Sequence, residues 1–264
     1  MDNNTQFRNA LNFLLFSYFG IMLDYEDKNI DKDNILSSAV KKAFTDATQR
    51  GAYYAKSKNK KEEEKEAFRE ATQKALPEAT ECLKDGINKI LEKEVPIKEQ
   101  KDFDKWHEEL CDKIKEKFDS SLKFTYGNAQ KWVNMTLKYL YLIDSICSEV
   151  CPDINYFHSL QNISAYLHVP VDSYIIEKVW EMEGNKTGRN DSCLPIKSGK
   201  TCKNGSRGKY ASDKVEAWST WDKKTYEKFQ DKLRDKDEID DNPIDWEGSA
   251  WIEIAKKRSG KDKR

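Results

Sequence analysis

Apolar residues recur at three- and four-residue steps through most of this chain, and that periodicity restricts what it can fold into. Ile35, Leu36, Ala39, Val40, Ala43, Phe44 and Ala47 form one such stripe, and Phe103, Trp106, Leu110, Ile114 and Phe118 form another. Residues spaced this way share one side of a helix. Few segments alternate apolar and polar residues with period two, as a half-buried strand would, and no internal repeat is visible. The expected architecture is all-α, a compact multi-helix domain. A chain of 264 residues, 38% of them hydrophobic, has material for one large core or two small ones. The expected division is an N-terminal helical region over residues 1–95 and a second region over 96–264, or one continuous domain.

Punctuation along the sequence sets the expected boundaries. The apolar run from Ala10 to Leu23 is interrupted by Asn12 and Ser17 and lacks a basic start or a small-residue cleavage site. It is too short to span a bilayer and reads as a buried helix, so no membrane association and cytoplasmic residence are expected. "KSKNKKEEEKE" (56–66) is a solvated helix start or connection. Pro77 is expected to end or kink its helix, Gly86 to weaken the next, and "EVPIKEQ" (94–100) to serve as a linker. A long polar loop runs from Glu183 to Tyr210. Its Lys186, Arg189, Lys197, Lys200, Lys203, Arg207 and Lys209 outnumber its acidic residues Glu183 and Asp191. Such a loop suits phosphate contact or plain solvation. Beyond it, Tyr226, Phe229 and Leu233 mark a helix, and Asn242 with Pro243 forms a good start for another. The basic end, "KKRSGKDKR", reads as frayed.

Charge and cysteine content narrow the function classes. Lys+Arg 46 against Asp+Glu 47 gives a net charge of -1, so any attraction to nucleic acid must come from a local basic face. Cys82, Cys111, Cys147, Cys151, Cys193 and Cys202 lack CxxC spacing, and only His107, His158 and His168 could supplement them. Reduced structural thiols are expected, with no metal site. No phosphate-binding loop, HExxH, EF-hand or G-x-S-x-G motif is present. The paired carboxylates Glu108/Glu109 and Asp240/Asp241 read as solvated surface positions.

Two stretches carry candidate chemistry. In "FTYGNAQKWVNMTLKYL" (124–140), Gly127 supplies a permissive turn, Asn128 a cap, and Ala129, Val133, Thr136, Leu137 and Leu140 a packed face. Lys131 then lies beside Met135, Lys138 and Leu142 near the positive end of the helix dipole. That position and partial burial both favour the neutral amine, which is the nucleophilic form. In "LHVPVDSYIIEKVW" (167–180), Pro170 keeps the approach extended and Asp172 reads as the N-cap of a buried helix. A carboxylate held there could also take a proton from a lysine or stabilise positive charge on a sugar. Trp132 reads either as a core anchor or as a surface on which a base stacks. Gln130 and Asn134 could bond a base edge or serve the core.

Together the two stretches, about residues 123–180, resemble the helix-hairpin-helix DNA glycosylases, which include 8-oxoguanine glycosylases and endonuclease III. Members carry L-P-G-V-G-x-K-x-A followed by V-P-V-D-x-H. "YGNAQKWV" aligns Gly127 with the first hairpin glycine and Lys131 with the Schiff-base lysine. "VPVDSY" aligns Asp172 with the essential carboxylate and Tyr174 with the usual histidine. Ala129 stands at the second hairpin glycine, "FTY" replaces leucine-proline, and 172 − 131 = 41 residues separate the pair, more than in most members. An archaeal branch acting on 8-oxoguanine also has an enlarged gap.

The resemblance implies a helix-hairpin-helix-like element within residues 96–264 and a DNA glycosylase, with or without abasic-site lyase activity. It implies catalysis by Lys131 and Asp172 and substrate contact from Gln130, Trp132 and Asn134. Double-stranded DNA would be held at Gly127, Asn128, Ala129 and Lys138, with no cofactor. The competing expectations are a noncatalytic helical module that binds protein or nucleic acid, and a nuclease or host-defence factor.

Overall fold

A computed structural model of the chain describes residues 3–23, 31–48, 62–118, 122, 124–150, 157–184, 192, 194–197, 211, 214–239 and 242–260. The fold is all-α. Nine α-helices occur among the described residues: α1 (Asn3–Phe19), α2 (Lys32–Thr48), α3 (Glu62–Leu91), α4 (Gln100–Glu116), α5 (Tyr126–Val150), α6 (His158–Asn162), α7 (Ser173–Met182), α8 (Lys223–Arg234) and α9 (Pro243–Arg258). Short 3-10 turns cover Ser164–Tyr166 and Trp218–Thr220. No strand occurs among the described residues, only an isolated antiparallel bridge between Ile196 and Val215. No described helix is long and apolar enough to cross a membrane.

Helix α5 is the axis of the molecule. Ala129, Trp132, Val133, Leu137, Leu140 and Ile143 are all buried, and the helix touches α2, α4, α6, α8 and the 218–220 turn. A helix that is apolar on most sides must be enclosed by others. The sequence stripe on α2 turns Ala39, Val40, Ala43 and Ala47 inward. These small residues let α2 lie close along α5, and the Trp132 indole N–H reaches across to the Val40 carbonyl at 2.9 Å. The second stripe, Phe103, Trp106, Leu110 and Ile114, closes the other side. A continuous core cluster runs from Leu11 to Ala250.

Several boundaries differ from expectation. Helix α3 does not end at Pro77 but continues to Leu91, so burial of Ala75, Ala79, Leu83 and Ile87 outweighs one lost backbone hydrogen bond. Gly86 strengthens that helix's packing: a methyl there would lie 2.6 Å from Leu110 Cδ1 of α4. The N-terminal run is not a buried helix. Between Ala10 and Leu23 it buries Leu11, Leu15, Ile21 and Leu23, but Phe13, Leu14, Phe16 and Met22 face outward. Asn12 interrupts the run for a reason, because its amide bonds both the N–H and the C=O of Leu23, each at 2.9 Å, and pins the extended segment after Gly20. Residues 56–61 of the charge run, most of the 183–210 loop, Cys151, Cys193, Cys202 and Asp240/Asp241 lie outside the described residues. Cys82 and Cys111 are free thiols.

A buried polar network ties α4, α5 and α8 together. His107 Nε2 meets Asn134 Oδ1 at 2.8 Å, Asn134 Nδ2 donates to the Tyr226 hydroxyl at 2.8 Å, and that hydroxyl lies 2.7 Å from His168 Nδ1. His168 Nε2 reaches Asp104 at 2.6 Å, and Arg234 grips the same carboxylate through two 3.2 Å contacts. Burial pushes both imidazoles below their ordinary value; for His168 the neighbouring Asp104 opposes this without reversing it. Burial thus disfavours protonation of both rings in the fold. As pH falls below about 6.5, the unfolded chain takes up protons that these rings refuse, so stability falls. The urea midpoint is expected to be lower at pH 5 than at pH 7, with a shallower decline in His107→Asn; a midpoint that rises toward pH 5 contradicts the neutral network.

Candidate active-site groove

Helix α5 starts at Tyr126, and its cap is Thr125, not Asn128. The Thr125 Oγ1 accepts from the Asn128 N–H at 3.1 Å, and Asn128 Oδ1 accepts from the Thr125 N–H at 3.3 Å, a reciprocal pair. Gly127 has an ordinary helical position, so turn flexibility is not its purpose. A methyl at Gly127 would overlap the carbonyl oxygen of Trp218. The 218–221 segment docks on this helix start through two further bonds, Gly127 N–H to Trp221 O at 3.1 Å and Thr125 Oγ1 to Ser219 O at 2.7 Å. Gly127→Ala is therefore expected to destabilise the fold by about 1–3 kcal/mol. Gly248→Ala in α9, where nothing lies within 4 Å, should be neutral or add up to about 1 kcal/mol. Equal midpoints for the two variants in a denaturant titration would refute this difference.

Lys131 sits in the second turn of α5, too far in for the helix dipole to govern it. Its side chain is 5% exposed and its Nζ lies 3.5 Å from Asp172 Oδ2. Burial pushes the amine below the ordinary lysine value; Asp172, and less strongly Asp46 and Glu247, pull it back. The Trp218 ring, 4.6 Å from Nζ, also favours the ammonium. The bound segment 218–221 thus forms one wall around the lysine.

Asp172 does two jobs with its two oxygens. Oδ1 caps α7, accepting from the Tyr174 and Ile175 N–H groups at 2.8 and 3.0 Å. Oδ2 faces Lys131 and accepts from the Trp251 indole N–H at 3.2 Å. The cap expected from the sequence is present on Oδ1, and Oδ2 is left facing the lysine.

The pair opens into a groove of about 1,110 Å³ walled by α1, α2, α5, α7 and α9. In the same groove Lys138 forms an ion pair with Glu247, a carboxylate only 2% exposed that burial pushes up and Lys138 pulls down. On the α2 side, Asp46 accepts from the Tyr139 hydroxyl and pairs with Lys42 at 2.9 Å. At the mouth Trp251 stacks on Tyr174, ring centres 4.7 Å apart and planes 25° from parallel. Trp251 remains 37% exposed.

Of the residues singled out in the sequence, Lys131, Asp172 and Lys138 meet in this groove. Gln130, Trp132 and Asn134 do not reach it. Gln130 bonds the Gly127 carbonyl and Asn134, Trp132 bonds α2, and Asn134 belongs to the buried network. Gly127, Asn128 and Ala129 are buried as well. Sequence reasoning missed Glu247, Trp251 and Trp218. The first two stand four residues apart in "EGSAW", on one side of α9, a spacing that could have been read as a carboxylate and an indole facing a common partner. Comparison of the chain with protein-family models, with curated proteins and with solved structures finds no match.

Proposed function

We propose that the groove is the active site of a DNA glycosylase with associated abasic-site lyase activity, acting on double-stranded DNA through Lys131. The observation that carries this reading is the 3.5 Å approach of the Lys131 amine to the Asp172 carboxylate. A desolvated lysine beside a proton acceptor, in a cavity larger than one nucleobase, is the arrangement that imine-forming chemistry needs. On this reading, an extruded nucleotide enters at a cost of a few kcal/mol for unstacking. Asp172 takes the ammonium proton, and the neutral amine attacks the sugar C1′. The C1′–N bond breaks, its electron pair leaves with the base, and the base takes a proton from solvent. Loss of a proton from the nitrogen to solvent and opening of the sugar ring then yield the imine, and transfer of a C2′ proton to water lets the C–H electron pair expel the 3′ phosphate. An amine and a carboxylate suffice for these steps.

The exposed aromatic surface that supports base binding is Trp251, already stacked on Tyr174, in place of the buried Trp132. The Lys138–Glu247 ion pair lines the same groove. The test is incubation with duplexes containing an abasic site or an oxidised base, in the presence of borohydride. A covalent protein–DNA adduct is expected. DNA binding with neither adduct nor base release would assign the chain to noncatalytic binding modules.

A further inference from the structure

The outer side of α1 is inconsistent with a surface that stays in water. Phe7, Phe13, Leu14 and Phe16 are each between 57% and 70% exposed, and Met22 just beyond them is 69% exposed. Together they present on the order of 600 Å² of apolar area, the upper end of what an unpartnered monomer leaves bare. That is about three-quarters of the roughly 800 Å² that each partner gives to a stable interface. In a chain that is 35% charged, Arg8 is the one charged residue between Asn3 and Gly20.

We infer that α1 packs antiparallel on α1 of a second copy of this chain, forming a two-fold dimer. The pattern of the exposed positions argues for this occupant. Phe7, Ala10 and Leu14 are all exposed and follow 3-4 spacing, the seam of a two-helix pair. Large and small residues alternate along it. A two-fold axis near Ala10 therefore sets Phe7 of one copy against Leu14 of the other, while the small positions admit the neighbouring large ones. A face without charge fits its own copy with no ion to desolvate. A lipid surface fits less well, because helices that lie on membranes carry a lysine- and arginine-rich opposite face, whereas the opposite face of α1 holds Leu11 and Leu15 in the core.

Light scattering on the full chain at micromolar concentration should give twice the 30.8 kDa chain mass. Phe7→Glu with Leu14→Glu should give the monomer mass and an unchanged helical circular dichroism spectrum. In the otherwise native chain, Ala10→Cys should form an interchain disulfide under mild oxidation that the native cysteines do not. A monomer mass for the native chain at about 100 μM overturns the inference. So does a dimer that survives the double substitution, an Ala10→Cys chain that gives no new crosslink, or a native chain that co-floats with neutral phosphatidylcholine vesicles as a monomer.

Discussion

Replacing Lys131 with methionine is expected to abolish the borohydride-trapped DNA adduct, by more than about a thousandfold, while leaving the fold as stable as the native chain or more so. The two halves of that expectation have separate causes. The adduct requires an amine, and among the described residues no other lysine lines the groove at 3.5 Å from Asp172 with its side chain so fully enclosed; loss of a nucleophile removes nearly all of the chemistry. Stability moves the other way because an ammonium in this position is held at a cost. After the substitution Asp172 keeps the Tyr174 and Ile175 N–H groups and the Trp251 indole N–H as donors, so its charge is not stranded as a lone buried ion would be, and the desolvation cost of the ammonium is removed. The pH dependence gives a second check. Burial lowers the Lys131 pKa from its unfolded value, so the unfolded chain binds the proton more tightly than the fold does. The penalty is fully present below the folded pKa and is relieved as pH rises from there toward about 10.5. The stability advantage of Lys131→Met should therefore shrink as the solution becomes alkaline, while the rate of adduct formation by the native chain rises through the same pKa. A methionine variant that still forms adduct would remove Lys131 from the mechanism outright.

The sequence made the helices legible because their apolar stripes obey one period over many turns. The α2 and α4 stripes, the Asp172 cap and the Asn242–Pro243 start needed only local rules, and the structure has them where those rules put them. Properties decided by distant partners were harder to read. Gly127 looks like a turn glycine until the Trp218 carbonyl is seen against it, 91 residues later in the chain (218 − 127 = 91). Trp132, Gln130 and Asn134 have side chains equally suited to a nucleobase or to a core. Their neighbours Val40, Gly127 and Tyr226 settle their hydrogen bonds, and spacing alone says nothing of these. The convergence of Lys131 with Asp172 was legible only as an expectation, since it depends on α5 and α7 meeting. Glu247 and Trp251 were hidden because α9 carries apolar residues around much of its circumference, which obscures the side that faces the groove.

Asp172→Asn and Asp172→Ala should separate the two jobs of this carboxylate. Asparagine is as good an N-cap as aspartate, so its Oδ1 can keep accepting from the Tyr174 and Ile175 N–H groups. What it loses is the charge opposite Lys131. Adduct formation by Asp172→Asn is expected to fall by about 100- to 10,000-fold, the range for loss of a positioned proton acceptor. The amine, deprived of its main opposing charge, should titrate lower still than in the native chain. In the native background, Asp172→Asn also leaves an ammonium buried without its partner, which can cost about 3–5 kcal/mol unless the lysine deprotonates. In the Lys131→Met background that cost has no source, so Asp172→Asn should be nearly silent there. Asp172→Ala loses the cap as well, and should cost about 1 kcal/mol more than asparagine in both backgrounds. The difference between backgrounds measures the coupling of amine and acid, and the difference between asparagine and alanine measures the cap. Equal stability losses for Asp172→Asn in the two backgrounds, read from urea midpoints, would mean that the 3.5 Å approach carries no interaction, and the proton transfer proposed for it would go with it.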